Sequence, residues 1–342
     1  MRVLVIEPLE PLVLSRNPLV SQEFILGFHS VLPIPSPTTI AGLLGSALGV
    51  TLGWEGSIDH LQLLKRLLEK IEERGCVKPI KGPILWFKGL SDEPYVCLGN
   101  IYAPRSVIKV ENVGFDVRVY LDGGCDKCVE AVVEERVGVK LVRGYMGRGE
   151  KIADKGYMYR YSTLTYKVAG SGRTVTPTLL YTVNCKVDIE RGVYRVGGEG
   201  RVAFTIMANT QDLPKSVVEA LKSVENPLEL KSEGLHLALT QIPLIPLAKE
   251  YIQLTLDIAK PNVKGLEFVK SIKGIIPSGY QRKLKGKVER LNLGYSETVK
   301  ARRPQILALP IGTIVETRIP ESVEGVIEIL WGLGFASLLK LK

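Results

Sequence analysis

The chain has 342 residues, 45% of them hydrophobic and 24% charged, with 45 Lys and Arg against 36 Asp and Glu for a net charge of +9. That composition excludes wholesale disorder and leaves room for two domains of ordinary size. The longest apolar stretch, residues 40–54, is too short for a bilayer, and Met1–Ile6 reads as a strand rather than a leader, so the expectation is a soluble, cytoplasmic protein with no membrane contact.

In chain order, Arg2–Glu7 predicts a first strand, followed by a loop punctuated by Pro8, Pro11 and Pro18 and a short extended segment over Phe24–Val31. A first helix is expected over Thr38–Val50. A second, Ile58–Arg74, places Leu61, Leu64, Leu67, Leu68 and Ile71 on one face, and Gly75 stops it. Short strands are expected near Ile84–Lys88 and Tyr95–Leu98, then a hairpin of Ser106–Val110 with Phe115–Leu121. The pattern of Lys127–Val137 reads as a helix. Residues 144–172 hold six glycines and five tyrosines and read as a long inserted loop or a protruding hairpin. Strands follow at Leu179–Val187, Arg201–Met207, Gly234–Gln241, Tyr251–Ile258 and Leu309–Ile319. Helices are expected over Lys215–Ser223 and Glu321–Leu330, with a last strand at Phe335–Lys340.

This mixture predicts an α+β fold of two ferredoxin-like (RRM-like) βαββαβ domains packed together, with inserted loops or hairpins. The expected boundaries are 1–190, carrying a basic, tyrosine-rich insertion near 143–175, and 191–342, carrying a glycine-rich loop.

Charge is uneven. From Arg136 to Arg173 nine basic residues face two acidic ones, and from Gln281 to Arg303 the ratio is eight to two. Such islands suit a polyanion. In the first, Arg143, Arg148, Arg160 and Arg173 accompany Tyr157, Tyr159 and Tyr161, whose alternation would put three rings on one face of an arm. Rings stack on bases and cations neutralise phosphates, whereas the plainer alternative is a solvated loop. In the second, Lys283, Lys285 and Lys287 alternate, as they also would on a solvated strand edge.

Three glycine-bearing corners add backbone chemistry. Pro35-Ser36-Pro37-Thr38-Thr39 precedes a helix opened by small residues, Gly42 among them, so phosphate could approach its N-terminus; an ordinary capped helix would look the same. Gly197-Gly198-Glu199-Gly200-Arg201 precedes a strand, and Arg201 could grip phosphate or pair with Glu199. Gly332 and Gly334 lie between the last helix and the last strand and would expose main-chain amides, or form a tight turn.

Catalytic signals are sparse. His60 and His236 sit in apolar patterns, which leaves His29 as the one candidate general base for RNA cleavage. Five cysteines, an odd number, argue against a disulfide framework, and Cys125-x-x-Cys128 lacks the further ligands that zinc needs. No cofactor or metal is expected.

Taken in order, the Pro-x-Pro-Ser-x-Thr helix start, Gly197–Arg201, Leu309-Pro310-Ile311-Gly312-Thr313 and Gly332-x-Gly334 resemble the third subunit of the type III-B CRISPR RAMP-module (Cmr) effector complex, a RAMP-superfamily protein. The resemblance spans nearly the whole chain as ordered landmarks. It implies a subunit without chemistry of its own, holding the 5′ tag of the CRISPR RNA. Such a subunit would dock on the large polymerase/cyclase subunit and neighbouring backbone subunits, with target RNA nearby. Ser36, Thr38, Thr39, Gly42, Arg201, Gly332 and Gly334 would then face RNA, and the tyrosine-rich insertion would be an arm beside the tag. The rival is a metal-independent repeat-RNA endoribonuclease of the same superfamily, using His29.

Overall fold

The computed structural model describes residues 1–14, 31–53, 59–99, 101–113, 116–122, 125–143, 151–198, 200–246, 263–275, 288–296, 298–299 and 301–341. Strand β1 (Arg2–Pro8) leads through the proline-dotted segment to α1 (Pro37–Ala47), α2 (His60–Glu73) and β2 (Cys76–Trp86). Short strands follow: β3 (Tyr95–Leu98), β4 (Ile101–Pro104), β5 (Ile108–Val113) and β6 (Asp116–Leu121). Two long strands, β7 (Val129–Arg143) and β8 (Lys151–Val168), precede β9 (Thr174–Val175), β10 (Thr178–Cys185), β11 (Gly192–Arg195) and β12 (Val202–Asn209). Then come α3 (Lys215–Lys222), β13 (Val224–Glu225), β14 (Gly234–Ala238), β15 (Ile242–Pro246), β16 (Val263–Lys264), β17 (Val269–Ile275) and β18 (Glu289–Asn292). The chain ends with β19 (Tyr295–Ser296), β20 (Ala301–Arg302), β21 (Gln305–Leu309), β22 (Thr313–Thr317), α4 (Val326–Gly332) and β23 (Leu338–Lys340).

The fold is mixed α/β, with antiparallel strands and few helices. The largest sheet runs β11-β12-β1-β10-β2-β3-β4-β7-β8-β9, and a second runs β13-β23-β14-β22-β17. Within the first, β12-β1-β10-β2 takes its strands as fourth, first, third and second along the chain; β23-β14-β22-β17 repeats that order in the second. Strand β12 follows the expected boundary at 190, yet it pairs with β1 along its whole length, from Arg2↔Asn209 to Pro8↔Ala203. The first sheet therefore runs across that boundary.

Strand β1 is apolar at successive positions because both faces of its sheet are covered. Leu4 and Ile6 enter a core with α1, α2, α4 and Trp331, while Val3 and Val5 enter another with α3 and Leu237, Leu239 and Ile314 of the second sheet and its margin. The α2 helix starts where the Asp59 carboxylate accepts from the amides of Leu61 and Gln62 at 3.0 and 3.2 Å. It buries Leu63, Leu64, Leu67, Leu68 and Ile71. A Cβ at Gly45 would lie 2.9 Å from Leu67 Cδ1, so glycine there sets the close approach of α1 to α2.

Two expectations are corrected. Residues 127–137 are not helical: the β-branched run Val129, Val132, Val133 and Val137 belongs to β7, paired with β8 from Val129↔Val168 to Arg143↔Lys151. That pairing makes the tyrosine-rich insertion a hairpin. The cysteines also pair after all. Adjacent strands put Cys76 opposite Cys185, joined as a disulfide; Cys125 and Cys128 form a second, and Cys97 is free and buried. The expected strand at Tyr251–Ile258, most of Phe24–Val31, and Lys283, Lys285 and Lys287 lie outside the described residues. Among the described residues, no helix is long and apolar enough to cross a membrane.

Candidate nucleic-acid interface

The proline-rich start of α1 is built from its own hydroxyls. Ser36 caps the helix, its Oγ accepting from the Thr39 amide at 3.4 Å, and shares hydrogen bonds with the hydroxyls of Thr38 (2.9 Å) and Thr39 (3.0 Å). Ser36 and Thr38 are buried, Thr39 is half-buried, and Gly42 is exposed with nothing near its missing side chain. Thr38 Oγ1 donates to the Leu293 carbonyl at 2.8 Å, which ties this corner to the C-terminal half. The helix start is thus a joint inside the protein, open only at Thr39 and Gly42.

The same carbonyl receives a second donor. Arg303 Nη1 reaches Leu293 O at 3.3 Å, and the Arg303 amide donates to Gly294 O at 2.9 Å. Its Nε is buried without a partner. Burial lowers its pKa, yet an arginine in a protein stays charged. Among the described residues it forms no ion pair. A guanidinium withdrawn from water without a counter-ion is costly, and an anion arriving beside Thr39 would offset that cost. Arg303 belongs to the second basic island, but no spacing in the sequence set it apart from its neighbours.

The remaining corners are corrected. Gly332 and Gly334 are buried and serve protein packing. A Cβ at Gly332 would lie 3.1 Å from Leu68 Cδ1, and one at Gly334 would lie 2.8 Å from Ile80 O. The amides from Leu333 to Ser337 all donate within the protein, to Ile329, Trp331, Leu330 and Gln241 carbonyls and to Thr240 Oγ1. No amide bed remains there, because α2 and β2 come down onto the turn. Similarly, Gly197 has φ 79° and admits the Val13 carbonyl, which would sit 2.6 Å from a Cβ. Arg201 pairs with Glu10, its Nη2 donates to Tyr161 OH at 3.0 Å, and Glu199 lies outside the described residues. The guanidinium lies 5.7 Å from the Tyr161 ring centroid. Arg201 and Tyr161 therefore meet in a protein-internal pair.

The hairpin of β7 and β8 carries the first island. Arg143, Tyr157, Tyr159 and Arg160 lie on its backbone, which alone is described for them. Arg148 falls outside the described residues, as does His29. At the hairpin base Glu134 takes Lys167 at 3.3 Å and Arg136 at 3.7 Å, and Lys167 holds the Glu134 carboxyl below its ordinary range. Arg173 is exposed on the turn after β8. Among the described residues no group of three His, Cys, Asp or Glu side chains is placed to hold a metal ion.

No protein-family model matches the sequence, and no curated protein matches it. Solved structures do. The chain is similar to one in a cryo-EM structure of type III-B Cmr-beta bound to cognate target RNA and AMPPnP, at 17% identity and TM-score 0.54, covering 99% of this chain and 96% of that one. It is also similar to a chain of type III-B Cmr-beta bound to cognate target RNA, at 18% identity and TM-score 0.52, with the same coverage. The likeness runs end to end and concerns the fold.

Proposed function

We propose that the chain is an RNA-binding scaffold subunit, without catalysis of its own, in a type III-B CRISPR (Cmr) effector complex of RAMP-superfamily subunits. The single observation that carries the reading is Arg303. It is a largely buried cation with no carboxylate partner among the described residues, placed where Thr38 and Thr39 open α1, and a sugar–phosphate strand would complete it. The hairpin bearing the tyrosine-rich basic island supports the same reading, as does a fold shared with chains from Cmr-beta structures that hold target RNA.

The two fourth-first-third-second strand runs support two ferredoxin-like units, with the division placed beyond Asn209 because β12 closes the first. The finer role follows from the resemblance: the 5′ tag of the guide RNA held here, with the large polymerase/cyclase subunit and the backbone subunits as neighbours in the cytoplasm. Binding of labelled guide RNA with and without its 5′ tag, by the chain alone and with its neighbouring subunits, tests it. Tag-dependent binding without cleavage is expected. Absence of binding in both settings refutes the role, and site-specific cleavage lost in His29→Ala refutes the lack of catalysis.

A further inference from the structure

The face of the first sheet that carries Val3 and Val5 is covered over those residues and their neighbours but opens toward β11. In the covered part Ile206 and Ala208 of β12 pack with Val217 and Leu221 of α3. At the other end β11 is an edge strand, and residues Arg191, Val193 and Arg195 are all exposed while Gly192 and Tyr194 between them are half-buried. The period-2 alternation of a strand puts the three on one side. Val193 lies opposite Phe204 and Arg195 opposite Val202. The Arg191 guanidinium sits 5.1 Å from the centroid of the half-buried Phe204 ring. Among the described residues neither arginine forms an ion pair.

The row continues across the sheet. Phe204 is opposite Glu7, and Thr178 is opposite Trp86, whose ring has Lys88 Nζ 5.2 Å from its centroid. Lys88 also pairs with Glu7. Two cation-capped rings therefore lie in one row across this face, three strand spacings or about 14 Å apart, with the buried Thr178 between them. On the Trp86 side the cation is neutralised; on the Phe204 side no described carboxylate pairs with either arginine.

We propose that this open end of the sheet is a second contact for single-stranded RNA, separate from the α1 corner. A base would stack on Phe204 and the Arg191 guanidinium, with flanking phosphates on Arg191 and Arg195. Charge selects the occupant. Two arginines that no described carboxylate pairs with, spaced along one exposed edge, attract a polyanion, and a ring capped by a guanidinium is a surface on which any base can stack. The inference rests on the proposed RNA-binding role and assigns it a further surface.

The test uses the full chain, a labelled oligouridine and a salt titration, with Arg191→Gln/Arg195→Gln and Phe204→Leu as variants. The double variant changes only exposed groups, and thermal melting checks that both fold. Each single-strand phosphate contact contributes about −0.7 to the slope of log K against log salt, so the double variant should lose about 1.4 of it. Phe204→Leu should weaken binding by about tenfold, and ultraviolet cross-links should map to β11 or β12. If the wild type binds and both variants bind with the same affinity and slope, this surface is not an RNA contact and the α1 corner stands. If the wild type binds no RNA, the functional reading itself falls. Unchanged RNA binding combined with failure of the double variant to join its complex would assign the face to an acidic protein and overturn the inference.

Discussion

Replacing Arg303 by Met should make the free protein more stable and a worse RNA binder. Methionine keeps an unbranched apolar stem of similar reach, so packing around Leu293 and Gly294 is retained while the charge goes. The guanidinium gives up water on its buried Nε and receives one carbonyl at 3.3 Å in return. Removing one partner-less charge from a fully dry site is worth several kcal/mol; Arg303 keeps some exposure, so about 1 kcal/mol is a fair expectation. For a protein of this size that raises Tm by roughly 1–2 °C. Against this, a charge-assisted hydrogen bond to phosphate contributes about 1.5–3 kcal/mol, so RNA affinity should fall about 10- to 150-fold, and the salt slope by about 0.7. Scanning calorimetry of the free protein and filter binding across a salt series read the two effects independently. A variant that binds RNA with the affinity and slope of the wild type refutes the idea that phosphate completes this cation. A lowered Tm would show that the bond to Leu293 outweighs desolvation.

Other perturbations separate packing from binding. Gly334→Ala adds a Cβ to a backbone at φ 110° and places it 2.8 Å from Ile80 O, so denaturant titration should show a loss of about 3 kcal/mol, with RNA affinity of the folded fraction unchanged. The Cys76–Cys185 bridge spans 109 residues, and the loop-closure model gives about 4.7 kcal/mol for a loop of that order; Cys76→Ala/Cys185→Ala should melt several degrees lower than the wild type, and adding reductant should lower the wild-type melting point by more than that of the variant, which keeps only the short Cys125–Cys128 bridge. The Glu316 carboxyl, hydrogen-bonded first by Lys273 and then by Ser271 and Lys270, is held down at about 2. Its folded pKa lies below the unfolded value, so its contribution is present above about pH 4.3 and is lost as pH falls toward 2. Acid unfolding of Glu316→Gln should accordingly begin less steeply over that window; an unchanged acid profile would remove Glu316 from the account.

Most elements were legible because their signals were local. The leucine stripe and Gly75 define α2 without any tertiary knowledge, and the two short apolar runs Ser106–Val110 and Phe115–Leu121 show a hairpin. Residues 127–137 misled because valines at 129, 132 and 133 fit a helical face as well as a strand, and only β8 arriving from beyond residue 150 settles the choice. The cysteines misled for a related reason. Compartment rules weigh an odd count against disulfides, but Cys76 meets Cys185 through the antiparallel register of β2 and β10, which no local pattern carries.

The glycine corners expose a deeper ambiguity. A missing Cβ admits whatever comes close, and sequence does not say whether that is a ligand or the protein itself. At Gly45, Gly197 and Gly334 the close atoms are Leu67 Cδ1, Val13 O and Ile80 O, all from this chain. At Gly42 and Gly200 open space faces the missing side chain. Main-chain amides from Leu333 to Ser337 are spent within the protein, so an RNA strand at that turn would have to be met by side chains. That shift has a physical consequence. Amides are neutral and release no counter-ions, whereas Arg303, Arg191 and Arg195 each carry a full charge that described carboxylates leave uncompensated. Binding built on such groups is steeply salt-dependent and tolerant of base sequence, which suits a subunit that holds a strand in place while pairing elsewhere reads it.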